Sequence, residues 1–236
     1  RRQVGSTFKP FVYASALDSG YTPATVVVDA PIEINTPQGL WRPKNASKTF
    51  YGPTPLRTGI ERSRNLMTIR LAQEVGIDVV GEYAEKFGVY EKGNFLRVLA
   101  NSLGSQETTL FKMVAAYAMF ANGGERVEPT LVDRVQDRYG KTVYKHDLRE
   151  CIDCNDPAIA PTRSPRIVSD RERVMNAVTA YQLTSMMRGV VERGTAAKTV
   201  SLGVPTAGKT GTTNDAKDVW FVGFTNRIVA GCYIGH

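Results

Sequence analysis

Histidine and cysteine are scarce in this sequence, and no long apolar run occurs. The two histidines are His146, inside a predicted hairpin, and His236, the last of 236 residues. A Ser-His-Asp or Cys-His catalytic arrangement is therefore disfavoured. No apolar stretch approaches the ~20 residues that a membrane-spanning helix needs, and the N-terminal residues lack the apolar core of a signal peptide. We expect any anchor or targeting segment to lie outside this sequence.

Three cysteines are present, at positions 151, 154 and 232. Cys151 and Cys154 have the spacing of a redox motif or half a zinc site, but no second pair and no nearby histidine completes a metal site. We therefore predict no metal and favour a local disulfide between Cys151 and Cys154. Cys232 lies in an apolar strand-like run, which predicts a buried, unreactive thiol.

The charge is moderately basic, with 30 lysines and arginines against 23 acids. These charges are scattered, and no block of five or more basic residues occurs, so they predict a solvated surface rather than a nucleic-acid partner. Hydrophobic residues make up 42% of the chain. A chain of this length and composition can bury a substantial core without disulfides.

The pattern of apolar residues predicts an α+β fold. A first helix begins at Ser6, with Pro10 tolerated in its first turn. Further helices are predicted over residues 54–74 (N-capped by Thr54 and interrupted at 63–65), 79–87, 109–122 and 176–192. Residues 20–55 are predicted to be mostly irregular, with one short strand at 25–28.

The remaining segments favour antiparallel strands. A hairpin is predicted over residues 132–136 and 142–145, followed by a surface loop at 147–170. Three C-terminal strands are predicted at 205–212, 219–225 and 228–234, the last two joined by a tight turn. No βαβ alternation with a phosphate-binding loop occurs, so an antiparallel sheet packed against helices is expected.

Ser6-Thr7-Phe8-Lys9 offers a nucleophile and a base without histidine. Residues three apart share a helix face, so the Lys9 amine can approach the Ser6 hydroxyl. A lysine serves as a base near neutral pH when burial or a nearby positive charge, such as that of Lys209, lowers its pKa. The S-x-x-K pattern alone is weak, because about one such match arises by chance in a chain of this size.

Ser63-Arg64-Asn65 lies at the predicted helix junction. A hydroxyl there suits proton relay to a leaving amine, and the Asn65 amide suits a substrate peptide. The alternative is a simple helix cap, since Ser and Asn favour helix ends.

Lys209-Thr210-Gly211-Thr212 follows the loop-like residues 205–208 and forms the second half of the predicted strand segment 205–212. Strand alternation places Lys209 and Gly211 on one face and the two threonines on the other. Gly211 would let a substrate backbone approach closely. The lysine and the threonine hydroxyls suit a terminal carboxylate. The alternative is an ordinary strand with a solvent-facing lysine.

The three motifs together are far more specific than any one of them. S-x-x-K, S-x-N and K-T-G each occur once, in the order typical of penicillin-recognising serine enzymes. The sequence resembles the transpeptidase domain of class A, bifunctional penicillin-binding proteins. The resemblance extends over nearly the whole chain: residues 2–11, 41–45, 51–52, 103–124, 209–213 and 218–223. Only about residues 125–170 differ, as a hairpin and surface-loop insertion.

The resemblance implies catalytic roles. Ser6 would attack the penultimate D-alanine carbonyl of a stem peptide, with Lys9 as its base. Ser63 and Lys209 would pass the proton to the leaving amine, and Asn65 would position the donor peptide. No cofactor is implied.

The resemblance also implies binding roles. Thr210 and Thr212 would bind the carboxylate of the donor or of a β-lactam, beside Gly211. The backbone N–H groups of Ser6 and Thr212 would form the oxyanion hole. An amine from a second stem peptide would then take the acyl group.

The resemblance further implies a β-lactamase/transpeptidase-like fold comprising a sheet with helices and an all-helical part. Residues 1–236 would be one partial domain, truncated at both ends, of a protein with a membrane anchor and a glycosyltransferase domain. The domain would lie on the periplasmic or extracytoplasmic side of a bacterial cell membrane.

Two alternatives remain open at this point, a D,D-carboxypeptidase and a non-catalytic β-lactam-sensing or cell-wall-binding module. A class A β-lactamase is disfavoured, because no E-x-x-L-N string follows Ser63 and Arg64 stands in place of aspartate.

Overall fold

The computed structural model describes residues 1–154, 166–213 and 217–235. Two 3₁₀ turns, Gly5–Phe8 and Leu99–Leu103, accompany the α-helices. The α-helices of the described ranges are α1 (Lys9–Asp18), α2 (Leu56–Glu61), α3 (Asn65–Val75), α4 (Ile77–Lys86), α5 (Leu110–Ala121) and α6 (Ala177–Glu192). None of these helices is long and apolar enough to cross a membrane.

The strands form small antiparallel sheets. In chain order they are β1 (Arg2–Gln3), β2 (Val26–Asp29), β3 (Ile34–Thr36), β4 (Gly39–Trp41), β5 (Gly52–Pro55), β6 (Glu107–Thr108), β7 (Arg134–Gln136), β8 (Thr142–Lys145), β9 (Glu150–Ile152), β10 (Arg166–Val168), β11 (Ala207–Thr212), β12 (Asp218–Phe224) and β13 (Val229–Gly235). Strands β11, β12 and β13 form one three-stranded sheet, and the others pair two by two: β1 with β6, β2 with β5, β3 with β4, β7 with β8, and β9 with β10.

Helix α1 lies in the centre of the core. Nine of its ten residues are buried, and an amphipathic pattern is accordingly absent from it. Phe8 and Phe11 contact a cluster of aromatic rings at centroid distances of 5.1–6.3 Å, contributed by Phe87, Tyr90, Phe95, Tyr117 and Phe120. Aromatic pairs in such tilted arrangements add stability beyond area burial. The start of α1 is therefore held rigidly by the core.

The three-stranded sheet has one covered and one open face. Trp220 and Val222 point inward and are buried, and the register places Gly211 and Lys209 opposite them on the same face. An added Cβ at Gly231 would meet Val114 of α5, so α5 covers this face. On the other face Val219 and Ile234 are 45% and 76% exposed. Lys209 and Gly211 therefore lie on the covered face of β11, and Thr210 and Thr212 lie on the other face, which confirms the predicted strand alternation.

The prediction for Cys232 is wrong. Cys232 lies opposite Phe221 on the open face of the sheet and is an exposed free thiol. The apolar run of β13 indicated a strand correctly, but apolar residues occupy both of its faces. Hydrophobicity alone therefore did not reveal which face is covered.

Most predicted elements are confirmed, including the interruption at residues 63–65 and the helices near 79–87, 109–122 and 176–192. The segment 20–55 is less irregular than predicted, because it contains four strands rather than one. Thr54 does not cap α2: it lies in β5, and its hydroxyl donates to the Gly52 carbonyl. Pro55 takes the N-cap position without a side-chain bond.

The segment 125–170 carries the predicted hairpin, β7 with β8. The predicted surface loop 147–170 also contains the strand pair β9 and β10. Cys151, which lies in β9, forms the predicted disulfide with Cys154, and their Cα atoms are 5.6 Å apart. Residues 155–165 of that loop, and His236, lie outside the described residues.

Candidate active site

Ser6 lies in the 3₁₀ turn that leads into α1, which we call the nucleophile turn (Gly5–Phe8). The turn is closed by the Thr7 hydroxyl, which donates to Val4 O at 2.7 Å. Tyr117 of α5 donates its hydroxyl to Thr7 O, also at 2.7 Å. Ser6 itself is half-buried and lines two adjoining cavities. The turn thus holds a partly accessible hydroxyl on a rigid support.

Two glycines let the nucleophile turn lie directly against β11. Gly5 has φ +51°, and a Cβ there would lie 2.7 Å from Thr212 O. A Cβ on Gly211 would lie 2.6 Å from Val4 O. A side chain at either position would push the turn away from the strand. The glycine of the K-T-G motif therefore has a packing role that the sequence did not predict.

Lys9 is fully buried, and its amine points at the α2–α3 junction. Lys9 Nζ donates to Ser63 O at 2.7 Å, Asn65 Oδ1 at 2.7 Å and Ser63 Oγ at 3.2 Å. Within the described part of the chain it makes no hydrogen bond to Ser6 Oγ. The S-x-x-K pair is thus tied to the S-x-N motif in this state.

The S-x-N motif follows a helix C-terminus of the Schellman type. Arg64 N donates to Gly59 O at 2.8 Å, and Ser63 N donates to Ile60 O at 3.1 Å. In this motif the residue after the C-cap has a left-handed conformation and is usually glycine. Here that residue is Ser63, with φ +56°. A strained non-glycine residue at this point costs about 1–3 kcal/mol, and it turns both the Ser63 carbonyl and hydroxyl towards Lys9.

Lys209 reaches the same serine from the sheet. It is fully buried, and its Nζ donates to Ser63 Oγ at 2.9 Å and to Thr210 O at 3.0 Å. The alternative of a solvent-facing lysine is therefore wrong. Ser63 Oγ is the point where the three motifs meet, because it accepts from both amines.

Burial shapes the protonation of both lysines. The pKa of Lys9 is held well below its usual value, first by loss of hydration and then by the positive charges of Lys209 and Arg64, while Asp29 opposes this shift. Burial lowers the pKa of Lys209 to about 7. The lowered pKa of Lys9 makes its neutral amine, the form that can act as a base, more accessible than in an ordinary lysine.

The lowered pKa of Lys209 predicts a pH-dependent stability. Between about pH 7 and its ordinary value of 10.5, the unfolded chain holds a proton that the folded chain has released. The free energy of unfolding of the wild type, minus that of Lys209→Met, should therefore increase with pH, by at most about 1.4 kcal/mol per pH unit. Urea denaturation of both proteins at about pH 6 and about pH 9 measures this, and an unchanged difference would contradict the buried, deprotonated state.

The free edge of β11 faces the nucleophile turn. Thr213 N donates to Asp218 O at 3.0 Å, so antiparallel alternation directs the Thr212 N–H away from β12. A Cβ built on Gly5 would lie 3.2 Å from Thr212 N, which places this edge against the turn. The N–H groups of Ser6 and Thr212 thus belong to two segments that meet at the cleft, as an oxyanion hole would require.

A cleft of about 820 Å³ connects Ser6 with the rest of the site. Ser63, Asn65, Thr210, Gly211 and Thr212 line it. Thr195, which follows α6, shares a 2.7 Å hydroxyl contact with Thr210. All the predicted site residues except the two buried lysines therefore line one cleft, and both lysines contact its wall.

Sequence reasoning did not identify the polar residues behind the S-x-N motif. Asn45 and Asp29 are buried there, and Arg64 lies 3.3 Å from the centroid of the Tyr51 ring. Asn45 and Tyr51 fall in segments that carried the family resemblance, but no role was assigned to them. The described residues contain no group of metal-ligating side chains.

The chain matches the family model of the penicillin binding protein transpeptidase domain over residues 1–229. It is 44% identical to penicillin-binding protein 1A of Rickettsia bellii over 243 residues, which cover 100% of this chain and 30% of that protein. The chain therefore spans about a third or less of the length of this curated relative.

Solved structures share the fold. Penicillin-binding protein 1A from Haemophilus influenzae superposes with a TM-score of 0.83 at 33% identity, covering 99% of this chain and 38% of that one. PonA1 from Mycobacterium tuberculosis, solved in complex with penicillin V, gives a TM-score of 0.79 at 21% identity, covering 99% and 60%. These matches confirm the α+β transpeptidase-like fold. The chain belongs to the penicillin-binding protein transpeptidase domain family.

Proposed function

We propose that this chain is the partial transpeptidase domain of a class A penicillin-binding protein, which cross-links peptidoglycan stem peptides through an acyl-enzyme on Ser6. The observation that carries the proposal is the convergence of two buried lysine amines on Ser63 Oγ, 3.2 Å from Lys9 and 2.9 Å from Lys209, at the wall of the cleft that holds Ser6. Such a constellation supplies a nucleophile, a base and a proton relay without histidine.

Acylation begins when Ser6 Oγ attacks the carbonyl carbon of the penultimate D-alanine. Lys9 takes the hydroxyl proton in its neutral form, which its lowered pKa favours. The negative charge that develops on the carbonyl oxygen is stabilised by the N–H groups of Ser6 and Thr212. Because the supporting turn is rigid, little reorganisation accompanies this step.

The leaving amine needs a proton as its C–N bond breaks. Ser63 Oγ donates this proton and is replenished from the lysines that contact it. Asn65 positions the donor peptide, and Thr210 and Thr212 bind its terminal carboxylate beside Gly211. A second stem peptide then attacks the ester through its amine, which returns a proton along the same path and frees Ser6.

A β-lactam would enter the same reaction and remain bound as a long-lived adduct of Ser6. PonA1, which shares the fold, has been solved in complex with penicillin V. We assign the periplasmic or extracytoplasmic side of a bacterial membrane, with an anchor and a glycosyltransferase domain elsewhere in the full-length protein. Residues of about 125–170 are assigned as an insertion in this domain.

Intact-mass measurement after β-lactam treatment tests the proposal. The protein is expected to gain the mass of one antibiotic molecule, and peptide mapping should place it on the segment that contains Ser6. An adduct on any other residue, or none, would overturn the proposal. Supplying a stem peptide with and without an amine acceptor then separates transpeptidation from carboxypeptidase activity, because only the former yields a cross-linked product.

A further inference from the structure

Asn45 is a buried amide with every hydrogen-bonding group engaged at the S-x-N motif. Its Oδ1 accepts from the backbone N–H groups of Asn65 at 2.9 Å and Leu66 at 3.3 Å. Its Nδ2 donates to Asp29 Oδ1 at 2.7 Å and to Thr49 O at 3.0 Å. A single side chain thus joins the start of α3 to strand β2.

Helix α3 depends on this distant residue for its N-terminus. Arg64 occupies the N-cap position and supplies no side-chain acceptor. Asn45, 20 positions earlier, accepts from the first N–H groups of the helix instead, which is the function of a local cap. The position of Asn65 therefore depends on the 45–49 loop as well as on its own helix.

Asp29 anchors Asn45 from behind. Its side chain is completely buried on β2, and its second oxygen lies 3.9 Å from Arg64 Nε. The loss of hydration of such a carboxylate requires compensation by charge and hydrogen bonds. Asp29 thus contacts both Asn45 and the central residue of the S-x-N motif.

The same motif holds the Lys9 amine through Ser63 and Asn65. Ser63 has a left-handed conformation that is unfavourable for serine. Contacts outside the turn are needed to hold such a residue. We propose that Asp29 and Asn45 are positioning residues for acylation, which hold the Ser63–Asn65 turn in the geometry that orients Lys9 and the Ser63 hydroxyl. This inference rests on the proposed function.

The first test compares Asn45→Ala with Asn35→Ala. Asn35 is an exposed residue of β3 with no side-chain hydrogen bond among the described residues, so it is a matched control. The rate of labelling by a fluorescent penicillin should fall about 10- to 100-fold in Asn45→Ala, because small displacements of catalytic groups have effects of this size. It should be unchanged in Asn35→Ala.

A charge exchange tests the pair even if Asn45→Ala does not fold. Asn45→Asp alone places two carboxylates together and should slow acylation. In Asp29→Asn/Asn45→Asp, the new amide at position 29 can donate to the new carboxylate at position 45, which still accepts from Asn65 and Leu66. Both variants lose the bond to Thr49 O, so their comparison isolates the contact between positions 29 and 45. The double variant should label several-fold faster than Asn45→Asp without reaching the wild-type rate, as coupling between contacting residues predicts. A double variant as slow as Asn45→Asp would overturn the proposal.

The pH profile separates positioning from a merely structural role. The charged groups that influence Lys9 are Lys209 from β11, Arg64 from the α2–α3 junction and Asp29 from β2, and only Asp29 raises its pKa. Asp29→Asn should therefore shift the acid limb of the acylation rate to lower pH. A lower rate with an unmoved limb would argue for general destabilisation and against the proposal.

The outcomes for the two proposals are distinguishable. If the wild type is not acylated, the proposed function fails and this inference fails with it. If the wild type is acylated and folded Asn45→Ala reacts as fast as Asn35→Ala, only the inference fails.

Discussion

Ser6→Ala is expected to lose all covalent labelling by a fluorescent penicillin. The substitution removes the atom through which the acyl-enzyme would form. The other hydroxyl of the motif, on Thr7, is buried and donates to Val4 O, so it does not replace Ser6. The Ser6 side chain has no hydrogen bond to another side chain among the described residues, and the nucleophile turn is held by Thr7 and Tyr117. We therefore expect the folded structure and its melting temperature to be retained.

Gel fluorescence of the labelled protein and a thermal melt measure both expectations. Ser201→Ala is the matched control, because Ser201 is exposed and does not line the cleft. It should label at the wild-type rate. A Ser6→Ala protein that still forms a covalent adduct would place the nucleophile elsewhere and overturn the assignment.

Lys9→Ala is expected to slow acylation by about 10²- to 10⁴-fold, the usual contribution of a positioned base. The variant keeps Ser6 but loses the amine that would accept its proton. Folding should remain largely intact, because α1 is held by the aromatic cluster around Phe8 and Phe11. Loss of the buried amine leaves Ser63 O and Asn65 Oδ1 without this donor, so a modest decrease in stability is expected.

Time courses of adduct formation by mass spectrometry give the rate. Lys145→Ala provides the control, since Lys145 is exposed on strand β8. A folded Lys9→Ala protein that acylates at the wild-type rate would exclude Lys9 as the base. The labelling rate of the control should match that of the wild type.

The motifs were predictable from the sequence because each combines residue type with local structure. Ser6 precedes a helix, Lys209 lies in a strand, and the interruption at residues 63–65 separates two helices. Each of these features depends on near neighbours along the chain. The sequence therefore sufficed to predict both the order of the motifs and the α+β fold.

What the sequence did not predict depends on contacts between distant segments. Asn45 contacts the start of α3 across 20 positions. Asp29, one residue beyond the short strand predicted at 25–28, contacts Asn45 across 16 positions. Lys9 was expected to approach Ser6, whereas its hydrogen bonds connect it to Ser63 and Asn65. The prediction of a buried Cys232 was wrong for a similar reason. Which face of the sheet is covered depends on helix α5, which is distant in the chain.

Ser63 Oγ lies within hydrogen-bonding distance of the amines of both Lys9 and Lys209, and this limits the direction in which its proton can move. A hydroxyl oxygen offers two lone pairs and carries one hydrogen atom. In the proposed acylation Lys9 becomes protonated by taking the proton of Ser6. Its third N–H and the Lys209 amine then both donate to Ser63 Oγ, and both lone pairs are occupied. Rotation about the Cβ–Oγ bond then has one favourable setting, in which the O–H points away from both lysines. The Ser63 hydroxyl is thereby oriented as a donor at the stage when the leaving amine needs a proton, and the two lysines rather than the ligand fix the direction of this rotor.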